Sequence, residues 1–287
     1  MKIGIGLPNT VVGATGRQIK DWARRADQLG FSTLGTIGRV AYPNYESLTA
    51  LAAAAAVTER IGLMTDILLG PTYEPVQLAK MAAGLDQLSE GRFVMGAAVG
   101  GREDDFSLVG YPFGDRGKRW DAALDLMHRA WKGEILTGTT KVTTVTPVNG
   151  GSVPMMFGGN SEKTIQRVVR WGVGWTAGGG GPQPAAEMAA KVRAAWQDAG
   201  REGSPRITAL GYYGVGPHAT ENIEGYLGAY YDYLPQYLPM MIAGTPRDAE
   251  SIKGLVGAFE AAGVDELILF PTAATLDQVD DLAEAVL

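Results

Sequence analysis

Eight short apolar runs, each followed by a stretch with helical periodicity, constrain this chain more than any other feature. The runs are Ile3–Leu7, Thr33–Ile37, Ile61–Leu68, Phe93–Val99, Val153–Phe157, Val173–Ala177, Ile207–Val215 and Glu266–Phe270. Short runs rich in Ile, Val, Leu and Phe suit strands buried on both faces, as in a parallel sheet. Between them, Ile19, Trp22, Ala23, Ala26 and Leu29 share one helical face, closed by Gly30. Leu78, Met81, Ala82, Leu85 and Leu88 share another, closed by Gly91, and Trp120, Leu124, Met127 and Trp131 a third, closed by Gly133. Glycine just past a helix suits its left-handed C-terminal cap. A β-then-α unit repeated eight times predicts α/β architecture closed as a (β/α)₈ TIM barrel. One domain over 1–287 is expected, with insertions at the C-terminal face.

Two segments break the rhythm. Gly133–Gly151 is a long connection rich in Thr, Gly and Val, long enough to hold a small hairpin. Tyr226–Gly244 is dense in tyrosine among apolar residues and reads as an inserted helical segment at the barrel mouth.

Composition removes several function classes. The 287 residues contain no cysteine, which rules out disulfides, thiolate metal sites and cysteine nucleophiles and is compatible with a reducing, cytoplasmic setting. There are two histidines, His128 and His218, too few for the ligand clusters of metal-dependent barrel hydrolases, so no metal is expected. A net charge of −6 with no basic block argues against nucleic acid. The longest apolar run, near Leu51–Val57, is mostly alanine and too short to span a bilayer, so no membrane association is expected. Schiff-base aldolases need a lysine at a strand's C-terminal end, and the lysines here fall in helices, loops or the N-terminus.

Barrel active sites gather at the C-terminal ends of the strands. The strongest local signal there is Gly158, Gly159, Asn160 and Ser161, a strand end running directly into a helix. Two glycines allow close backbone approach, Ser161 can cap the helix, and the amides of a helix start favour an anion. The same residues also fit a plain capped turn. Thr176 to Pro182 holds four successive glycines, either a ligand-facing loop or a flexible connector. Arg39, after the second strand, is placed either to hold an anion or to pair with an acid at the rim. His218 is a candidate acid or base, and His128, inside a helix, is structural.

The stretch IGLMTDILLGPTYEPVQLAKMAAGLDQLSEGRFVMGAAVGGREDDFSLVGYPFGDRGKRWDAAL resembles the luciferase-like monooxygenases. GFSTLGTIGR, PMMFGGNSEKTIQRVVRWGVGWTAG and DAESIKGLVGAFEAAGVDELILF extend the resemblance over nearly the whole chain. It implies a flavin-dependent oxidoreductase or monooxygenase using FMN or the deazaflavin coenzyme F-420 on a small organic substrate. It also implies a homodimer and a flavin reductase as supplier of reduced cofactor. Carried over position by position, Asp66–Ile67 is expected to be a non-proline cis peptide in a bulge that backs the flavin ring, with Thr65 beside it and the Asp66 carboxylate at the cofactor rim, accepting a hydrogen bond from the ring or from Arg39. Gly158, Gly159, Asn160, Ser161 and Thr164 take the cofactor phosphate, and Val99 and Gly100 flank the ring. Aromatic residues from Tyr226 to Tyr237, with Tyr73, form an apolar substrate wall. Many deazaflavin-dependent members carry Asp-His where Gly38–Arg39 stand here, and deazaflavin dehydrogenases a catalytic glutamate where Gly101 stands. Both departures argue against that dehydrogenase chemistry and leave an FMN-type monooxygenase or a deazaflavin reductase using other groups; Arg39 is the candidate catalytic residue, in a polar contact with substrate or cofactor. Two other readings remain: a phosphate-binding barrel isomerase or lyase without flavin, and a non-catalytic flavin-binding homologue.

Overall fold

The computed structural model describes residues 1–148 and 150–287. Its strands are β1 Lys2–Gly6, β2 Thr33–Thr36, β3 Gly62–Leu69, β4 Phe93–Ala98, β5 Met155–Gly158, β6 Gly174–Ala177, β7 Arg206–Tyr213 and β8 Glu266–Pro271. Each pairs in parallel with its sequence neighbours, and β1 closes on β8 through Lys2↔Glu266 to Ile5↔Leu269, which completes the expected barrel.

The helices form where local chemistry starts them. Thr15 and Gln18 make a reciprocal capping box at Gly16–Leu29, Glu74 caps Pro75–Leu88, and Ser161 caps Glu162–Trp171. Gly30 ends the first of these at φ 91°, in the left-handed region that glycine adopts freely. In Pro75–Leu88, Leu78, Ala82 and Leu85 face inward as expected from the sequence, but the buried face is rotated toward Ala79 and Ala83. Ala79 and Ala83 are buried, whereas Met81 is 41% exposed and Leu88 71%. Leu78 and Leu85 pack inward together with Ala79, Ala82 and Ala83, and Met81 and Leu88 are left outside.

Two apolar layers result. The outer one packs helices on the barrel and includes Trp22, Trp120 and Trp131. The inner one fills the lumen with Ile37, Met64, Met156, Leu210, Tyr212, Ile268 and Phe270. Gly6 faces the Phe270 ring so closely that a Cβ there would lie 2.2 Å from it. Across β6, β7 and β8 the lumen carries a polar row, with Thr176, Thr208 and Glu266 in register. Buried Glu266 pairs there with Arg206.

β3 is the irregular strand. Its pairing with β4 shifts register between Thr65 and Leu68, and the Asp66–Ile67 peptide is cis, as expected from the sequence. Opposite the bulge stands Gly96, where a Cβ would lie 2.0 Å from the Thr65 carbonyl oxygen. Thr65 is fully buried and donates its hydroxyl to the Gly96 carbonyl at 2.8 Å. The connection 133–151 forms turns and bends without a hairpin among its described residues, and its Asn149 lies outside them. The tyrosine-rich segment is helical at both ends, within Ala219–Tyr230 and Leu238–Gly244.

Candidate active site

The C-terminal ends of the strands enclose a cavity of about 190 Å³. Ile37, Arg39, Asp66, Ile67, Leu210 and Tyr212 line it, and Tyr230, Tyr231 and Tyr233 cover one side. A second cavity of about 320 Å³ shares Gly38, Arg39 and Leu69 with it and reaches Glu46 and Tyr73. A third, of about 340 Å³, shares Gly178 and Gly179 and extends past Asn160 and Trp175 to Lys191. The four-glycine loop therefore forms the wall between the mouth and this third cavity, and its open glycines meet no neighbour where a Cβ would stand at Gly178 and Gly179.

Arg39 is not an open anion hook. Its side chain is 6% exposed and is used within the protein. Nη1 donates to the Tyr230 carbonyl at 3.0 Å, and Nη2 to the Ala41 carbonyl at 3.3 Å and to Asp104 at 3.4 Å. Nε stands 3.8 Å from Asp105, too long for a hydrogen bond. The guanidinium also lies within 5.3 to 5.9 Å of the ring centres of Tyr42, Tyr230 and Tyr233, in cation–π range. Arg102 stacks at 4.0 Å on Tyr233 and pairs with Asp104 and Asp232. Its hydrogen bond holds the Asp104 carboxyl down at about 2. Two guanidiniums and three carboxylates thus tie the β2 and β4 loops to the tyrosine segment, and the pairing alternative for Arg39 is the one observed.

Asp66 departs from expectation in the other direction. It makes no contact with Arg39 among the hydrogen bonds and ion pairs of the described residues. Instead Thr176, from β6 across the lumen, donates to its Oδ1 at 2.7 Å. Its Oδ2 is buried without a partner. Burial pushes this carboxyl up to about 7, partly offset by the Thr176 hydrogen bond.

Ile67, next along the bulge, points at the top of β5: a Cβ built on Gly158 would lie 2.6 Å from its Cδ1. Gly159 follows at φ 109°. Ser161 Oγ accepts from the Thr164 amide at 3.2 Å, and Thr164 is buried beneath it. Gly159, Asn160 and Ser161 are exposed at the rim. The indole of Trp175 donates to the Gly159 carbonyl at 2.9 Å and fixes the turn from behind. On the β4 side the cavity is lined by Gly101 and Arg102. Val99 and Gly100 precede them, Gly100 at φ 76° with its carbonyl held by Arg116 at 2.9 Å.

Sequence reasoning brought Arg39, Asp66 and Ile67 to one cavity and Asn160 to its neighbour. It missed Asp105 and Tyr212 as mouth residues, Lys191 beside the glycine loop and Thr176 as the partner of Asp66. Period-two alternation along β7 could have placed Tyr212 beside Leu210. Nothing local marks Thr176 as a partner of Asp66. Tyr231 and Tyr233 do wall the mouth, and Tyr73 the second cavity, whereas Tyr237 is 51% exposed. His218 is 74% exposed, 3.6 Å from Glu221, and turns away from the chemistry its position suggested. His128 is bound to the Leu124 carbonyl within its own helix, as a structural residue.

Solved structures share this architecture. A monooxygenase from Streptomyces bottropensis superposes with a TM-score of 0.80 at 19% identity, covering 100% of this chain and 98% of that one. A secondary alcohol dehydrogenase described as F420-dependent gives 0.79 at 18%, covering 99% and 98%. At these identities the likeness establishes the fold. An uncharacterized protein of Mycobacterium tuberculosis is 27% identical over 187 residues, 63% of this chain and 65% of the relative. The pyrimidine monooxygenase of Allorhizobium ampelinum is 29% identical over 175 residues, 55% of this chain and 47% of the relative. Both alignments span less than two thirds of the relative's length. The luciferase-like monooxygenase family model, by contrast, matches residues 1–281, the stretch that carries the whole barrel and its mouth, and the chain belongs to that family.

Proposed function

We propose that this protein is a flavin- or deazaflavin-dependent oxidoreductase that binds its cofactor at the barrel mouth. The observation that carries the reading is the juxtaposition of the Ile67 bulge with Gly158. It sets an apolar side chain against a glycine turn that opens directly into a helix start. The bulge would back the ring, and Gly158, Gly159, Asn160, Ser161 and Thr164 would hold the phosphate, where helix-start amides suit an anion. Lys191, on the same cavity as Asn160, adds a positive charge. Thr65 ties the bulge to β4 through the Gly96 carbonyl, and Val99 and Gly100 set the path of the loop beside the ring. Bound there, the cofactor would supply hydride transfer or, when reduced, oxygen activation.

The chain's own residues then orient and enclose. The tyrosine wall is apolar in body, and its phenols are kept protonated by burial; Tyr231 is pushed up to about 12. The charges nearby are already paired. A small, uncharged organic substrate suits such a wall, and Arg39 acts by holding the wall in place. The family relationship also supports a cytoplasmic homodimer served by a separate flavin reductase.

Trp175 makes the test direct, because its indole is bonded to the cradle. Titrating the purified protein with FMN and with the deazaflavin is expected to give saturable quenching of tryptophan fluorescence by at least one of them. A flat titration with both would remove the cofactor reading and favour a barrel enzyme that works without flavin.

A further inference from the structure

Asp66 is the one buried carboxyl of the mouth left with an unpartnered oxygen. Its residue is 4% exposed, its Oδ1 is taken by Thr176, and its Oδ2 has no partner. An ionised carboxylate in such a place needs several donors or a cation, and a neutral acid needs one acceptor. The surroundings decide between them. From the β2 loop, Arg39 is committed to Tyr230, Ala41 and the Asp104–Asp105 pair. From the β4 loop, Arg102 is committed to Asp104 and Asp232. β6 supplies only the Thr176 hydroxyl. β7 supplies the phenol of Tyr212, bonded to that of Tyr231 at 2.7 Å, and, near its start, Arg206. Arg206 is paired with Glu266 of β8; the Glu266 charge opposes ionisation of Asp66 and outweighs that of Arg206, which favours it. Tyr230 and Tyr233 complete the ring of titratable groups, and burial keeps both phenols neutral. Among the described residues, no unpaired cation stands within bonding distance of Oδ2.

We propose that Asp66 is the hydrogen-bond donor of the barrel mouth: its carboxyl stands protonated there and offers Oδ2–H to a carbonyl oxygen or ring nitrogen of the bound flavin-type cofactor. The inference rests on the cofactor reading above. It reverses the role the sequence suggested, in which Asp66 accepts. Above neutrality the acid ionises, and the donor is replaced by a buried charge. Binding should weaken there for a reason that belongs to this side chain. Asp66→Asn keeps the shape and a donor but cannot ionise.

The experiment compares the affinities of wild type and D66N for FMN and for the deazaflavin from about pH 6 to about pH 8.5, by tryptophan quenching. The ligands titrate too, but identically for both proteins, so the ratio of the two affinities isolates Asp66. The wild type is expected to bind comparably to D66N at the acid end and at least about tenfold more weakly at the alkaline end, with a midpoint near 7. A second variant keeps Asp66 in place. Thr176→Val removes the donor that favours the ionised form, so its midpoint should move to higher pH. A pH-independent ratio, or a T176V midpoint that stays or falls, overturns the donor role while leaving the cofactor site standing. Absence of binding by the wild type at every pH overturns the cofactor reading and this inference with it.

Discussion

At the scale of single residues, Asp66 and Ser161 carry the sharpest consequences. A carboxyl raised from 3.8 to about 7 binds its proton in the folded state at pH values where the unfolded chain has released it. The sign follows: the folded protein is penalised as pH rises from about 4 to about 7, and the penalty is complete above that. Relative to D66N, the wild type should lose about 2 kcal/mol between about pH 5.5 and about pH 8.5, roughly 5 °C in Tm. Thermal melts at the two pH values check this without any ligand, and parallel Tm curves would contradict it. Ser161 tests the cradle. Ser161→Asp keeps a helix-capping side chain but sets a negative charge where a phosphate would sit, beside Glu162 of the same turn. Cofactor affinity should fall at least about tenfold, equivalent to roughly 1.4 kcal/mol, with the circular dichroism spectrum unchanged. Arg39 shows why residue type and position were not enough. An arginine at a barrel rim is equally suited to ligand or to acid, and only the acids and tyrosines that fold around it made the choice.

At the scale of elements, the β3 bulge and its glycine partners are the site's scaffold. Gly96 lies against backbone, and its missing Cβ would meet the Thr65 carbonyl at 2.0 Å. Backbone in a closed barrel cannot retreat. Gly96→Ala should therefore cost at least about 3 kcal/mol, at the upper end of overpacking. At Gly158 the obstacle is the far end of Ile67, 2.6 Å away, which can turn aside. Gly158→Ala should cost about 1 kcal/mol but displace Ile67 from the cradle and weaken cofactor binding. Chemical denaturation of the pair checks the ordering, and equal losses would mean the bulge is softer than its contacts indicate. The helix Pro75–Leu88 teaches a related lesson: its periodicity placed Leu78, Ala82 and Leu85 inward, but packing rotated the face so that Ala79 and Ala83 are covered and Met81 and Leu88 are not.

At the scale of the whole molecule, barrel closure places every candidate residue at one end, which is why strand ends located the site before any contact was known. The same closure leaves Met81 and Leu88 uncovered on one outer helix, and with the family relationship this supports a homodimer. Light scattering at micromolar concentration should give twice the 30.3 kDa chain mass. A species at the chain mass alone would refute the dimer.

The sequence by itself determined the eight strands, the Gly30 and Ser161 helix caps, the end of the barrel that carries the site, and the Gly158–Ser161 turn. These depend on periodicity and on side chains within a few residues of the backbone they serve. Even the cis peptide at Asp66–Ile67 was legible, through resemblance of the TDILL segment. Tertiary structure alone decided what Asp66 and Arg39 touch. The Asp66–Thr176 bond joins positions 110 residues apart, and the Arg39–Tyr230 bond positions 191 apart. Whether such groups meet depends on how the strands register around the lumen and where an inserted segment folds back. Those geometries are fixed by closure of the whole barrel, and no local pattern encodes them.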